Sequence, residues 1–463
     1  MSHIISVSQD NEQAFLSRID RFFNHLRLSN VLQKCNFYKE SGFSCVTILK
    51  ELFALVFRGK NLYRTLTAQR QEVNFRKNTA YRFLNCGRFN WERLLRIFTS
   101  KLVSEIDQLT ADDRQSVIIF DDSLLSRNRS KKVELLAKVF DHTSHKFFKG
   151  FRMLTMGWSD GNTFLPLGFN LLSASKDENV LFEANKQDGR TLAHQRRVKA
   201  RSNTNDVVIE LLRTAKDIPA RYVLFDSWFT MPQTVVRVKR EKRDVIGMMR
   251  ITEKAYYQYQ DQWIDVKKIY ELSGIDHSTS HGILGSVMVK LREDKQSPEN
   301  ELVEARIVFV RDRRSEKWLA ILSTDTTIEN EEIVRIYGKR WDIEVFFKVC
   351  KSYLALAKEF QGRSFDMQVA TTTIVFLRYA MLALESRKAN DDRTIGDLFY
   401  YLREEMADIE FSQSLMLLVD TLRHVLNEMP TLSEALANEI MDSFLNAIPQ
   451  PLKQRLLFCA QLY

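Results

Sequence analysis

Cysteine is sparse and scattered: Cys35, Cys45, Cys86, Cys350 and Cys459 are the five in 463 residues, and no two form a C-x-x-C pair. Neither a zinc ribbon nor a disulfide framework is indicated. The thiols read as buried, reduced groups of a cytosolic protein. Glycine (15) and proline (7) are also few, which excludes collagen-like and low-complexity chains. The first residues, MSHIISVSQDNEQ, lack the basic-then-apolar pattern of a leader. Long apolar runs are missing too. The most apolar stretch, Ile374 to Leu384, is short and carries Arg378, below the ~20 apolar residues of a membrane span. The expectation is a soluble, intracellular protein without a membrane partner.

What is present is globular composition, 44% apolar and 27% charged. The length exceeds one ordinary domain at ~100–200 residues each. Lys and Arg number 68 against 59 Asp and Glu, for a net charge of +9. This excess is uneven. Residues 1–110 carry +8, residues 111–390 carry +8, and residues 391–463 carry −7. A polyanion contact therefore belongs to the first two sections, and the acidic last section suits a protein partner better.

Residues 1–105 read as helical, with Phe15, Ile19, Phe22, Phe23 and Leu26 at helical spacing. Residues 58–101 hold eleven Lys and Arg and only Glu72 and Glu92 as acids. Within them, Asn78 or Thr79 is expected to cap a short helix whose first turn presents Tyr81 and Arg82. That pattern fits a helix-turn-helix-like DNA reader, and it also fits the solvated basic face of a helical bundle.

From about residue 115 the pattern turns to strands. Ser116 to Phe120 is a short β-branched run ending in Asp121-Asp122-Ser123, followed by a meander over 135–140, 151–158 and 163–170. A basic, apolar-poor stretch, Lys186 to Arg201, precedes a helix at Asn205 to Ala215. The strand Tyr222 to Phe225 then ends in Asp226-Ser227-Trp228, with a helix (Pro232 to Lys242) and a strand (Val245 to Met249) beyond it. This is an α/β pattern. Residues 251–325 are β-rich and read as an insertion.

Asp122 and Asp226 close apolar strands, where α/β sheets present functional groups. With a third carboxylate they would form a hard-oxygen set suited to Mg²⁺ or Mn²⁺. That third group lies in the stretch from Tyr337 to Lys351. At ~100° per residue, Tyr337, Arg340, Glu344, Lys348 and Lys351 fall on one helical stripe roughly 80° wide. Val345, Phe346, Val349 and Cys350 fall away from it and are expected to bury. Glu344 is placed to bind metal while the cations hold phosphates. The same spacing also fits a surface helix with Arg340–Glu344 and Glu344–Lys348 ion pairs. His142 and His145 have no third ligand nearby and read as structural or surface residues.

Y-x-x-R-x-x-x-E-x-x-x-x-x-x-K, matched by Tyr337, Arg340, Glu344 and Lys351, resembles the signature helix of bacterial insertion-sequence transposases of the YREK-motif DDE group. These are relatives of the cut-and-paste transposases of composite transposons. The resemblance covers roughly residues 115–360. It implies a ribonuclease-H-like core whose catalytic, metal-binding triad is Asp122, Asp226 and Glu344, with Mg²⁺ or Mn²⁺, two ions, as cofactor. The small hydroxyl residue after the first Asp favours Asp122 over Asp121. The resemblance also implies a β-rich insertion between Asp226 and Glu344, which lie 118 residues apart. Trp318 looks like the insertion tryptophan that stacks on a flipped base, although its ring also suits a strand core.

The fold class expected is therefore α/β: a ribonuclease-H-like core with a β-rich insertion and helical N-terminal and C-terminal domains. Residues 1–110 would bind DNA, 111–250 form the first part of the core, 251–325 the insertion, 326–390 the second part with the YREK helix, and 391–463 a dimerisation region. The implied function is cleavage at terminal inverted repeats and joining of the freed 3′ ends to target DNA, with hairpin ends. Tyr337, Arg340, Lys348, Lys351, Trp318, Tyr81 and Arg82 would contact the DNA. The partners are double-stranded DNA, as transposon end and target, and a second copy in a synapsed homodimer. The location is cytoplasmic, on the nucleoid. A competing reading is a catalytically inactive, transposase-derived DNA-binding repressor, which the filled carboxylate positions argue against. A ribonuclease-H-like repair nuclease is a third.

Overall fold

The computed structural model describes residues 17–67, 75–110, 114–141, 145–275, 282–294, 296–297, 301–312, 317–388, 394–429 and 432–453. Helices come first: α1 (Arg18–His25), α2 (Leu28–Lys34), α3 (Cys45–Ala54), α4 (Leu62–Thr67), α5 (Lys77–Leu84) and α6 (Trp91–Asp107). Their starts follow from side-chain caps. Ser17, Ser44 and Asn90 accept backbone N–H groups at the heads of α1, α3 and α6, satisfying donors that a helix start leaves unpaired. Ile19, Phe22, Phe23 and Leu26 of the expected periodicity are buried, with Phe23 edge-on to Phe53 at 4.8 Å, and Phe15 lies outside the described residues. One expectation fails: α5 begins after Arg76 without a side-chain cap, and Asn78 and Thr79 lie inside the helix.

A sheet of eleven strands, counted among the described residues, runs through the rest. Its first part is β1 (Val117–Ser126), β2 (Ala137–Asp141), β3 (Lys146–Ser159) and β4 (Phe164–Leu172). Helices α7 (Leu192–Ala200) and α8 (Thr204–Thr214) lead to β5 (Tyr222–Phe225), and α9 (Pro232–Arg240) leads to β6 (Asp244–Met248). β3 pairs antiparallel with β1 and with β4, while β1, β5 and β6 run parallel as neighbours. The parallel strands are buried on both faces, as their β-branched runs require. β1 is longer than its apolar run suggested. Pairing with β3 carries it through Asp121, Asp122 and Ser123 to Ser126, so these polar residues lie within the strand instead of ending it.

Beyond β6 the same sheet continues through β7 (Tyr257–Tyr259), β8 (Gln262–Ile264), β9 (Ile283–Leu291), β10 (Val303–Arg311) and β11 (Trp318–Ser323), with α10 (Val266–Leu272) between β8 and β9. β11 pairs antiparallel with β6, Ile321 opposite Met248. The start of β11 therefore extends past the carboxyl end of β6.

Helices α11 (Asn330–Gly338), α12 (Trp341–Ser352) and α13 (Phe365–Lys388) follow. α13 is long and apolar enough to span a membrane by composition, contrary to the expectation that no segment is, and its most apolar window is wholly buried inside the protein. At its centre Arg378 is fully buried. Its guanidinium donates to Glu359 at 2.5 Å, to the Phe53 carbonyl at 2.9 Å and to the Leu52 carbonyl at 2.7 Å. One charge so ties α3, α13 and the segment after α12 together. The basic stretch that holds α7 is likewise partly internal. Arg196 and Arg197 are buried and paired with Glu92, Glu134 and Asp366. The chain ends in α14 (Ile395–Glu428) and α15 (Glu434–Ala447). The overall architecture is mixed α/β, consistent with a ribonuclease-H-like core.

Candidate active site

The parallel strands bring their carboxyl ends to one edge of the sheet. Phe120 lies opposite Phe225 in the β1–β5 register, so Asp121, still within β1, and Asp226, the first residue past β5, lie beside each other on neighbouring strands. Strand alternation then separates the two aspartates of β1. Asp121 and Ser123 face α12: the Arg340 guanidinium lies 3.3 Å from the Asp121 carboxylate, and the Lys351 ammonium donates to the Ser123 hydroxyl at 2.6 Å. Asp122 points to the opposite face and is held by the Arg152 guanidinium. Arg152 stands across from Leu124 on β3, one step along the same face as Asp122, which is why the two meet.

Asp226 sits in a tight turn after β5. The Trp228 N–H donates to its carboxylate at 3.0 Å, and the Thr230 hydroxyl donates to its carbonyl at 2.7 Å. Glu344 lies in the first turn of α12 and pairs with Arg340 four residues earlier. Arg340 therefore bridges Asp121 and Glu344. Tyr337 is at the end of α11, with the Arg340 guanidinium 6.0 Å from its ring centre. The expected single helix is two, because the chain turns at Lys339 and Arg340. Phe346, Val349 and Cys350 bury as expected, whereas Val345 is exposed. Lys348 is exposed.

The electrostatics mark this edge. Burial and the charge of Asp226 push the Asp121 carboxyl up to about 7, despite relief from Arg340. Burial also raises Asp226, with the nearby charge of Asp122 adding to it and the Trp228 N–H working against it. Burial takes the Tyr337 hydroxyl up to about 12, and burial lowers the Lys351 ammonium. Two desolvated carboxylates side by side are a poor arrangement without a cation.

By donor chemistry the set suits a hard divalent ion: carboxylate oxygens on a rigid sheet edge with excess negative charge. As arranged, the guanidinium of Arg340 stands between Asp121 and Glu344. Among the described residues, no group of three or more His, Cys, Asp and Glu side chains converges to hold an ion. His145 packs against Phe140, and His142 lies outside the described residues.

The remaining candidates lie elsewhere. Trp318 opens β11 and is stacked on Tyr270 at 4.5 Å and edge-on to Phe309 at 5.3 Å. It lines a cleft of about 640 Å³ with Ile251, Lys267, Lys317 and Ile275. On α5, Tyr81 is half-buried and Arg82 exposed. The Lys77 ammonium lies 5.7 Å from the Tyr81 ring and 5.8 Å from that of Tyr63. Arg82 lines a second cleft of about 570 Å³ with Tyr38, Lys39 and Arg88. These are basic and aromatic surfaces of the kind that stack on bases and hold phosphates.

Sequence reasoning missed Arg152, whose role depends on a cross-strand register. It also passed over Trp228, although that residue was visible in Asp226-Ser227-Trp228. Trp228 is 42% exposed and covered on one side by the Arg250 guanidinium, 4.4 Å from the ring centre.

Two family models match parts of the chain. Residues 44–267 match the model described as DDE superfamily endonuclease, and residues 185–381 match that described as transposase DDE domain. Each spans less than half of the chain, and the two overlap over 185–267. The first match contains Asp121, Asp122 and Asp226, and the second contains Asp226, Trp318, Arg340 and Glu344. No curated protein matches the chain. The two matches support a DDE transposase with metal-dependent nuclease activity.

Proposed function

We propose that the chain is an insertion-sequence transposase of the YREK group. In this reading it cuts DNA at terminal inverted repeats and joins the freed 3′ ends to target DNA, by cut-and-paste through hairpin ends. The observation that carries this reading is the Arg340 bridge from Asp121 to Glu344 beside Asp226, which brings the motif helix onto the strand-edge carboxylates. Asp226, Glu344 and one aspartate of β1 would hold two Mg²⁺ or Mn²⁺ ions. Asp121 is our choice for that aspartate because it faces α12; Asp122, which the motif pattern favours, is engaged by Arg152. The chemistry such ions would supply there is activation of water or a 3′-hydroxyl and stabilisation of the leaving oxygen in phosphodiester displacement.

The chain's own side chains supply the rest. Lys348 and Lys351 on α12, with Arg340 and Tyr337, would hold backbone phosphates near the cut. Trp318 would stack on an unpaired base at the rim of its cleft. Residues 1–110, through Tyr81 and Arg82, would read the inverted repeat, and 251–325 would form the insertion of the core. Residues 391–463 would pair two copies on two ends. Leu417, Leu418 and Val425 on α14, Met429 just past its end, and Leu436 and Ile440 on α15 are exposed apolar side chains, a composition that favours a protein contact. The working partners are double-stranded DNA and a second copy, in the cytoplasm on the nucleoid.

The test is end cleavage on a duplex carrying the inverted repeats that flank the reading frame. Asp226→Ala and Glu344→Gln should abolish Mg²⁺-dependent cleavage and leave DNA binding intact. Cleavage retained in either variant rejects the carboxylate assignment. An intact protein that binds the ends and never cuts them supports a repressor instead.

A further inference from the structure

Arg340 does something in this structure that a phosphate clamp does not require. Its two terminal nitrogens reach two carboxylates from distant parts of the chain: Asp121 on β1, at 3.3 Å, and Glu344 on α12. The Arg340 side chain is 17% exposed and that of Asp121 14%, so the contact is largely sheltered. The guanidinium fork spans two separate anions, as a bridging cation would. Neighbouring cations do not share the position. Lys351 is bonded to Ser123, and Lys348 is exposed on the next turn.

We infer that Arg340 is the built-in counter-ion of the DNA-free site. It holds Asp121 and Glu344 in place of a divalent ion, and an ion binds tightly only after the guanidinium has left. The inference rests on the carboxylate assignment proposed above.

Departure is physically accessible. Arg340 sits at the junction of α11 and α12, where the backbone turns, and not inside a continuous helix. Glu344 is the more open end of the bridge, with 36% of its side chain exposed. A DNA phosphate offers the same planar fork an equivalent two-oxygen partner. Transfer of Arg340 from carboxylates to phosphate would uncover the negative site as the DNA arrives. Metal loading would then be coupled to DNA engagement, by exchange of one cation for another.

The experiment measures Mn²⁺ binding to the full-length, DNA-free protein by electron paramagnetic resonance of unbound Mn²⁺. Arg340→Ala is expected to bind Mn²⁺ at least tenfold more tightly than the wild type. Arg340→Lys keeps the charge and loses the fork; it should gain at least threefold, and it serves if the alanine variant does not fold. Lys348→Ala removes an equal charge one turn from Glu344 without opening the bridge, and should stay within threefold of wild type. Wild-type affinity in Arg340→Ala or Arg340→Lys overturns the inference, as does a gain in Lys348→Ala equal to that of Arg340→Ala. The double variant Arg340→Ala/Glu344→Gln separates the two levels of argument. Loss of the gain supports both, whereas a surviving gain means that Glu344 is not a ligand and overturns the proposed site itself.

Discussion

Asp121→Asn should stabilise the metal-free protein at high pH, by an amount that depends on pH in a defined way. Burial takes the Asp121 carboxyl up to about 7 in the fold, against 3.8 for a free aspartate. Between those values the folded chain holds a proton that the unfolded chain has released. Stability therefore falls as pH rises from about 4 to about 7, and stays at its lower level above that. At ~1.36 kcal/mol per pH unit, the full cost at pH 8 is roughly 4 kcal/mol, of which less than half is already present at pH 5. The relief that Arg340 gives is included, because it contributes to the value of about 7. Asparagine cannot ionise, so its advantage over aspartate should grow by roughly 3 kcal/mol from pH 5 to pH 8. With an unfolding entropy of ~2.1 cal/mol/K per residue, a chain of this size should show about 3 °C of additional gain in melting temperature. The assay is thermal unfolding with a chelator present, at a series of pH values, for wild type, Asp121→Asn and Asp122→Asn. Asp122 lies on the other face with Arg152, and because its charge only adds to what burial imposes on Asp226 and Asp121, its variant should show a smaller pH-dependent gain than Asp121→Asn. A constant difference across pH, or a gain in Asp122→Asn in place of Asp121→Asn, would refute the assignment of faces.

Two further outcomes follow from the packing. Arg378→Met should destabilise by about 3–5 kcal/mol, because Glu359 is left charged and buried with the Leu52 and Phe53 carbonyls unpaired. Arg378→Met/Glu359→Gln should recover part of that loss, and a single-variant cost below about 1 kcal/mol in urea unfolding contradicts this account. Leu417→Ser/Leu418→Ser should weaken paired-end assembly on DNA, read by sedimentation, and leave the monomer's melting temperature within about 1–2 °C, since both side chains are exposed. These point changes are a cleaner probe than removing residues 391–463. Leu398, Phe399, Leu402 and Met406 of α14 belong to the main core, and deletion would strip them from it.

Much of the fold was legible because its strands obey simple patterns. Ile283–Leu291, Val303–Arg311 and Trp318–Ser323 are apolar or alternating runs between charged turns, and they form strands in the stretch expected to be β-rich. The helical spacing of Phe22, Phe23 and Leu26 likewise predicts the burial found. What escaped depends on partners remote in sequence. α7 lay hidden in a basic stretch because Arg196 and Arg197 bury only when Glu92, Glu134 and Asp366 are brought to them. The same remoteness hides Arg378, which looks like an interruption of an apolar run and acts as a joint between α3 and α13.

The choice between Asp121 and Asp122 shows where local reading stops. A four-residue apolar run has no inside until something covers it, so alternation alone assigns no face to the next residue. Two long-range facts supply the face here: the β1–β3 register, which puts Arg152 beside Asp122, and the seat of α12, which puts Arg340 and Lys351 above Asp121 and Ser123. The motif spacing singles out Glu344 and Arg340 as candidates because both lie within two turns of one helix junction. It was insufficient to say that Arg340 would turn inward. A cation on a surface helix pairs with whichever anion is nearest and least solvated, and that anion sits 219 residues away. A desolvated carboxylate pair at the sheet edge competes with solvent for the guanidinium more strongly than Glu344 alone would. A phosphate, with its fixed charge and two available oxygens, is the kind of partner that could draw it out again.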